Sequence, residues 1–269
     1  HTLVVAVGQS GETADTLAGM QEALQQGARL ITICNVEGSQ ASQQAEYTLH
    51  MRAGLEVGVA STKTFTSALV TLRLLALYLG DQRGKLSSDI LLSHIEDLAS
   101  LPNLLGEIVK DREPYQNLAR RYASKEHFLY LGRGINYPIA MEGALKLKEV
   151  SYIHAEGYPA GEMKHGPIAL IDDQMPVVAL TLRDSLYERN LANISEIRAR
   201  GGTVIALGTQ GDNDLVDQAD HVLYLPVVPE GISPVVTVVP LQLFAYELAV
   251  QRNCDVDQPR NLAKTVTVE

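Results

Sequence analysis

The chain opens with an unbroken apolar run over residues 4–7, the polar turn Gly8-Gln9-Ser10-Gly11 and a helical apolar spacing over residues 12–26. That order predicts a buried strand, a tight turn and a helix start. A second strand is expected at 29–34, entered through Gly27, and a weaker third at 47–51. After a loop over 54–61, residues 62–79 read as a long helix apolar on most sides, which should be buried inside the domain or at an oligomer interface. Residues 86–123 are richer in charge and predict two helices, divided near Pro102 and Pro114, that connect two domains. A strand at 128–131, a turn at 132–136 and a helix at 138–153 follow. Strands are expected at 176–182, 204–207 and 222–225, with helices at 186–200 and about 237–250. Strands alternating with helices predict parallel sheets covered on both faces.

The two halves match at one spacing. Gly27-Ala28-Arg29-Leu30-Ile31 falls on Gly201-Gly202-Thr203-Val204-Ile205, and Ala45-Glu46-Tyr47-Thr48-Leu49 falls on Ala219-Asp220-His221-Val222-Leu223, each 174 residues on. The same spacing carries the strand at 4–7 onto 178–181. A duplicated α/β domain is therefore expected. The strand at 128 and the helix at 138 have no counterpart in the first copy, so that copy is expected to lack its first strand and helix, and the chain to be a fragment. The expected domains are 1–110 and 111–252, followed by a tail over 253–269.

Composition narrows the function classes. With 46% hydrophobic and 20% charged residues the chain is an ordinary globular sequence. A net charge of −10 argues against nucleic acid and anionic membranes as partners. Cys34 and Cys254 match no metal-ligand spacing and fit a reducing, cytoplasmic compartment. The N-terminus has no signal-peptide pattern. The apolar stretch 232–250 carries Pro234, Pro240 and Glu247, which suits a buried helix better than a membrane span.

Four stretches could carry chemistry. The first turn, with Ser10, Thr13 and the glycines before a helix N-terminus, is a socket for an anion such as a phosphate ester; the plainer reading is that Ser10 caps the helix with Thr13 in its first turn. Glu142, Lys146 and Glu149 share one helical stripe, either a solvated ion-pair ladder or a carboxylate base beside an ammonium at the mouth of a sheet. The loop 158–167 (YPAGEMKHGP) is dense in special residues, and His165 could pass a proton near neutral pH or be a surface histidine. In the tail, Lys264 lies in an otherwise uncharged run, where a lysine can lose its proton and form a Schiff base, unless the tail is disordered.

GQSGETADT at 8–16, GVASTKTFT at 58–66, EGALKLKEVSYIHAE at 142–156, GEMKHGPIALID at 161–172 and DQPRNLAKTVTVE at 257–269 together closely resemble the isomerase part of the glutamine:fructose-6-phosphate aminotransferases, or glucosamine-6-phosphate synthases. The resemblance covers essentially the whole chain. It implies two flavodoxin-like, three-layer sugar isomerase (SIS) domains with parallel sheets, the first lacking its N-terminal strand and helix. It also implies a fructose-6-phosphate to glucosamine-6-phosphate conversion in the cytoplasm.

By the same resemblance Gln9, Ser10, Gly11 and Thr13 hold the sugar phosphate, while Val59 and Ser61 line the sugar. Glu149 moves a proton between C1 and C2, with Lys146 assisting. His165 opens the sugar ring from an adjacent subunit of a homodimer, and Lys264 forms an imine with the ketose. No cofactor or metal is implied. Gly8 stands where the family commonly has serine, which removes one hydroxyl donor. Nothing in the chain resembles the family's glutamine-hydrolysing domain, the partner that would supply ammonia. Alternatives are a stand-alone aminosugar-phosphate deaminase or isomerase, and a non-catalytic sugar-phosphate regulator.

Overall fold

The computed structural model describes residues 2–264. It divides into two compact units, one reaching Ser93 and joined by the tail from Arg260, the other His94–Pro259. The division falls inside the helix Ser88–Lys110, which ends at the expected boundary.

The first unit is a three-stranded parallel sheet in the order β1 (Leu3–Val7), β2 (Arg29–Cys34), β3 (Tyr47–His50). Helix α1 (Ala14–Gln25) connects β1 to β2, and the short α2 (Gln40–Gln44) precedes β3. Leu17 and Met20 of α1 pack with Leu30 and Ala41 into a small core. Helix α3 (Lys63–Gln82) follows. Of the two expectations, burial inside the domain is corrected: within the chain only Thr64 and Leu77 are buried, while Leu72, Leu74 and Tyr78 are exposed. The three-stranded sheet is too narrow to cover it.

Helix α4 (Ser88–Lys110) corrects the expected break at Pro102, which lies inside it. Proline removes one backbone N–H donor, and the flanking helical turns carry the helix across that loss. Helix α5 (Glu113–Tyr122) does begin at Pro114, where the missing N–H costs nothing.

In the second unit all five strands are parallel, in the order β5 (His154–Pro159), β4 (His127–Gly132), β6 (Val177–Thr181), β7 (Val204–Thr209), β8 (His221–Leu225). Helices α6 (Asn136–Ser151) and α8 (Ser233–Gln251) pack together with α5 on one face. Helix α7 (Tyr187–Arg198) and two 3-10 turns (Ala160–His165 and Pro167–Leu170) lie on the other. Alternate residues of the strands serve the two faces. Leu129, Leu131, Val177, Ala179, Val204 and Ala206 join the core under α7. Phe128 faces the other way and meets Phe244 of α8 edge-on, ring centroids 6.0 Å apart.

Helix α8 is long and apolar enough to cross a membrane, but 78% of its apolar window is buried inside the protein. It belongs to the core of this unit.

The duplication is visible in the elements. At the spacing of 174, β1, β2 and β3 fall on β6, β7 and β8, α1 on α7 and α3 on α8. The copies differ in what flanks them. β6 is buried throughout because β4 pairs along its outer side, whereas β1 has no outer strand among the described residues, and its Leu3 and Val7 are exposed. Likewise α8 rests on α6, for which the first unit has no counterpart among the described residues. Strand β5 and helix α2 were not anticipated, because β5 carries a glycine and a proline and α2 is a single polar turn.

Gly11 holds the turn after β1, with φ +70° and no room for a Cβ, which would collide with the Ser39 hydroxyl. Gly11→Val should therefore lower stability by about 1–3 kcal/mol, read as a lower thermal midpoint. A midpoint equal to that of the parent chain would show that the turn can relax.

Candidate functional site

In the first unit the candidate residues lie at the carboxyl ends of the strands, where helix N-termini and loops meet. The β1–α1 turn is fixed by backbone bonds. The Gly8 N–H donates to the Ile33 carbonyl at 3.0 Å, the Asn35 N–H to the Gln9 carbonyl at 3.0 Å, and the Ala41 N–H to the Gly11 carbonyl at 3.0 Å. Gly8 thus spends its N–H on the sheet, so it cannot replace the missing serine hydroxyl. Ser10 is buried, and its hydroxyl accepts from the Glu12 N–H at 3.2 Å, within the turn. The helix cap is Thr13, whose side chain makes no capping bond. The plainer expectation is corrected here: Ser10 shapes the turn, and Thr13 stands at the cap position rather than in the first helical turn. Glu12 braces the turn from outside, accepting from the Gln40 N–H at 2.9 Å and from its side chain at 2.6 Å.

The loop with Val59 and Ser61 is organised by Glu56, a residue that motif reading missed. Glu56 is buried. One carboxylate oxygen accepts from the N–H groups of Thr62 at 3.0 Å and Thr64 at 3.2 Å, at the start of α3. The other accepts from the Thr64 hydroxyl at 2.5 Å and from the Lys264 ammonium at 2.6 Å. Lys264 also donates to the Gly58 carbonyl at 2.8 Å. The Ser61 and Thr64 hydroxyls lie 2.5 Å apart. Burial pushes the Glu56 carboxyl up, but the Lys264 ammonium, the Thr64 hydroxyl and the two N–H groups outweigh it and hold it at about 2. A lone glutamate in a loop carries no periodic or motif signal. Only its position five to eight residues before Ser61, Thr62 and Thr64 at the start of α3 hints at a cap.

In the second unit Lys146 is buried at the centre of the α6 stripe, which corrects the picture of a solvated ladder. Its ammonium lies 2.6 Å from the Glu149 carboxylate and 3.4 Å from that of Glu142. Burial raises the Glu142 carboxyl, Lys146 lowers it, and the nearby Glu149 charge raises it again. The opposite side of the helix, with Ala140, Ala144, Leu147 and Val150, is buried. Lys146 and Glu149 lie toward the C-terminus of α6, at the far end from the β4–α6 turn. They are therefore not at the carboxyl-end mouth of their own sheet. His165 is exposed at the end of its 3-10 turn, and among the described residues no bond joins it to Lys146 or Glu149. Met163, buried in the core under α7, anchors this loop, and the Arg133 guanidinium beside Gly161 donates to Asn193 on α7.

Among the described residues no group of three or more His, Cys, Asp or Glu side chains could hold a metal ion.

The model of the SIS domain matches residues 1–78 and 121–252. The chain is 41% identical to a solved structure described as the C-terminal domain of glucosamine-fructose-6-phosphate aminotransferase from Francisella tularensis, covering 96% of this chain and 73% of that one with a TM-score of 0.92. The chain belongs to the SIS family, within the isomerase part of these aminotransferases. The glutamine--fructose-6-phosphate aminotransferase [isomerizing] of a Thermus thermophilus strain is 52% identical over all 269 residues, which span 44% of that protein's length. A solved glucosamine-6-phosphate deaminase from Thermotoga maritima, at 23% identity and a TM-score of 0.77, shares the fold. The SIS match skips residues 79–120, which include most of α4 and α5, in line with a duplicated domain joined by helices.

The Glu56 cluster carries a pH signature. Its folded-state pKa lies below the ordinary 4.5, so the stabilisation is complete above about 4.5 and is lost as the pH falls toward about 2. The drop corresponds to roughly 3 kcal/mol. Glu56→Gln should flatten the fall in stability across that acid window, as measured by denaturant unfolding at a series of pH values. An unchanged slope would mean the cluster contributes nothing to acid stability.

Proposed function

We propose that the chain is the isomerase portion of a glucosamine-6-phosphate-forming enzyme, binding fructose-6-phosphate and converting the ketose to an aldose skeleton. The observation that carries this reading is the buried Lys146 ammonium 2.6 Å from Glu149 on α6. A buried ammonium against a carboxylate fixes the direction in which that carboxylate points, and a proton transfer between adjacent carbons needs a base so positioned.

In this scheme Gln9, Ser10, Gly11 and Thr13 hold the phosphate at the start of α1, and Val59 and Ser61 line the sugar. Anchoring the far end of the substrate converts binding energy into position. His165, contributed by a second copy in a homodimer, opens the ring. Glu149 then takes the C1 proton as the C1–C2 double bond forms and the electron pair moves onto the substituent at C2. Return of the proton to C2, as the O1 proton passes to the substituent at C2, leaves the C1 aldehyde. Lys146 stabilises the charge that develops at the oxygens.

Lys264 is the imine-forming amine. An ammonium is not a nucleophile, and Glu56 is too weak a base to take its proton. The Lys264–Glu56 ion pair is therefore the resting arrangement, and imine formation requires the lysine to leave it. The relatives' names include glutamine, and ammonia from a glutaminase domain would complete the aminotransferase.

The chain mixed with fructose-6-phosphate should yield glucose-6-phosphate in a coupled assay, and Glu149→Gln should slow this by about 10²–10⁴-fold. Equal turnover by that variant would remove Glu149 from the role of base. Borohydride added with the ketose should trap an adduct on Lys264, located by peptide mass spectrometry, and a label confined to other lysines would reject the imine assignment.

A further inference from the structure

The strand ends of the second unit carry a cavity that the proposed reaction leaves unused. Its volume is about 170 Å³, and its lining includes Ile135, Arg183, Asp184, Glu230, Ser233 and Thr237. The size is comparable to the ~150 Å³ that accommodates a small six-membered ring. The cavity sits beside the ends of β4 and β6, neighbouring strands whose next partners, β5 and β7, lie on opposite sides. This is the point of a parallel sheet where crevices for ligands form.

At the spacing of 174 this is the second copy of the β1–α1 turn, with its chemistry reversed. Asp184 stands where the first copy has Ser10, and Arg183 where it has Gln9. The Asp184 carboxylate accepts from the Leu186 N–H at 2.8 Å and from the Asn136 side chain at 3.1 Å. An internal anion thus already occupies the start of α7, and the positive end of that helix needs no external one. The Arg183 guanidinium is itself taken, donating to Asp212 at 2.8 Å and to Asp214 at 2.5 Å. Glu230 adds a further exposed carboxylate to the lining. A phosphate would meet net negative charge here.

Thr237 gives a second, independent indication. It lines the cavity and is 0% exposed, and its hydroxyl has no hydrogen-bond partner. Burying an unpaired hydroxyl costs about 1–3 kcal/mol, which a polar ligand atom would recover.

We propose that this cavity binds a small hydroxylated primary ammonium compound without a phosphate, its ammonium beside Asp184 and Glu230 and a hydroxyl at Thr237. The second copy thereby keeps the ligand crevice of the fold and exchanges anion recognition for cation recognition. The site stands independently of the isomerase reading, since none of its residues takes part in that reaction.

Calorimetric titration of the whole chain with glucosamine, at a pH where its amine is protonated, tests the site against glucose and glucosamine 6-phosphate. Glucosamine should saturate one site per chain at least tenfold more tightly than glucose. Glu230→Gln and Thr237→Val should each weaken it about fivefold or more, and Ser10→Ala should leave it unchanged. Glu230 is exposed, so its variant keeps the fold even if Thr237→Val does not. No saturable glucosamine binding, or equal affinity for glucose, overturns the proposal. So does glucosamine binding that only Ser10→Ala removes. Weaker binding of the phosphate ester in Glu230→Gln would likewise overturn the exclusion of phosphate.

Discussion

A parallel strand cannot be followed by its neighbour without a crossover, and that constraint places most of the chemistry in this protein. Each crossover leaves the sheet at a strand's carboxyl end, and there it deposits a turn, a helix start and their unpaired N–H groups. The β1–α1 turn with Ser10 and Thr13, the loop with Glu56, Val59 and Ser61, and the cavity beside Asp184 and Thr237 all arise at such ends. The buried strands behind them supply rigidity without taking part.

Burial then decides what each charged group can do. Lys146 on a solvated helix would be one rung of a weak ladder. Enclosed between Glu142 and Glu149 it becomes a buried ammonium that fixes the direction of both carboxylates. Glu56 works in the opposite sense, because burial alone would neutralise it and a ring of donors keeps it charged. That charge caps α3 and anchors the tail lysine in one arrangement. A single carboxylate therefore links the order of a loop, the start of a helix and the position of the Lys264 ammonium.

Duplication shows how little sequence change alters the charge at a helix start. The two copies share strand order and helix placement at a constant spacing, yet Ser10 in one corresponds to Asp184 in the other. A hydroxyl leaves the helix start open to an external anion, whereas a carboxylate fills it from within. The turn is retained because both residues accept from the equivalent N–H, that of Glu12 in one copy and of Leu186 in the other.

Patterning alone determined the parallel α/β class, the repeat, most of the strands and the stripe carrying Glu142, Lys146 and Glu149. Periodicity reports which face of an element is apolar, and apolar faces must be covered. Motif resemblance singled out Ser10, Thr13, His165 and Lys264 as candidates. Tertiary structure decided what no local signal carries: that α4 continues through Pro102, that α3 is left largely uncovered, that Gly8 spends its N–H on the sheet, and that Lys264 meets Glu56 208 positions away in sequence. These depend on which surfaces are withdrawn from water and which donors meet which acceptors. Such pairings across long sequence separations are set by the packing of whole elements, and no window of neighbouring residues contains them.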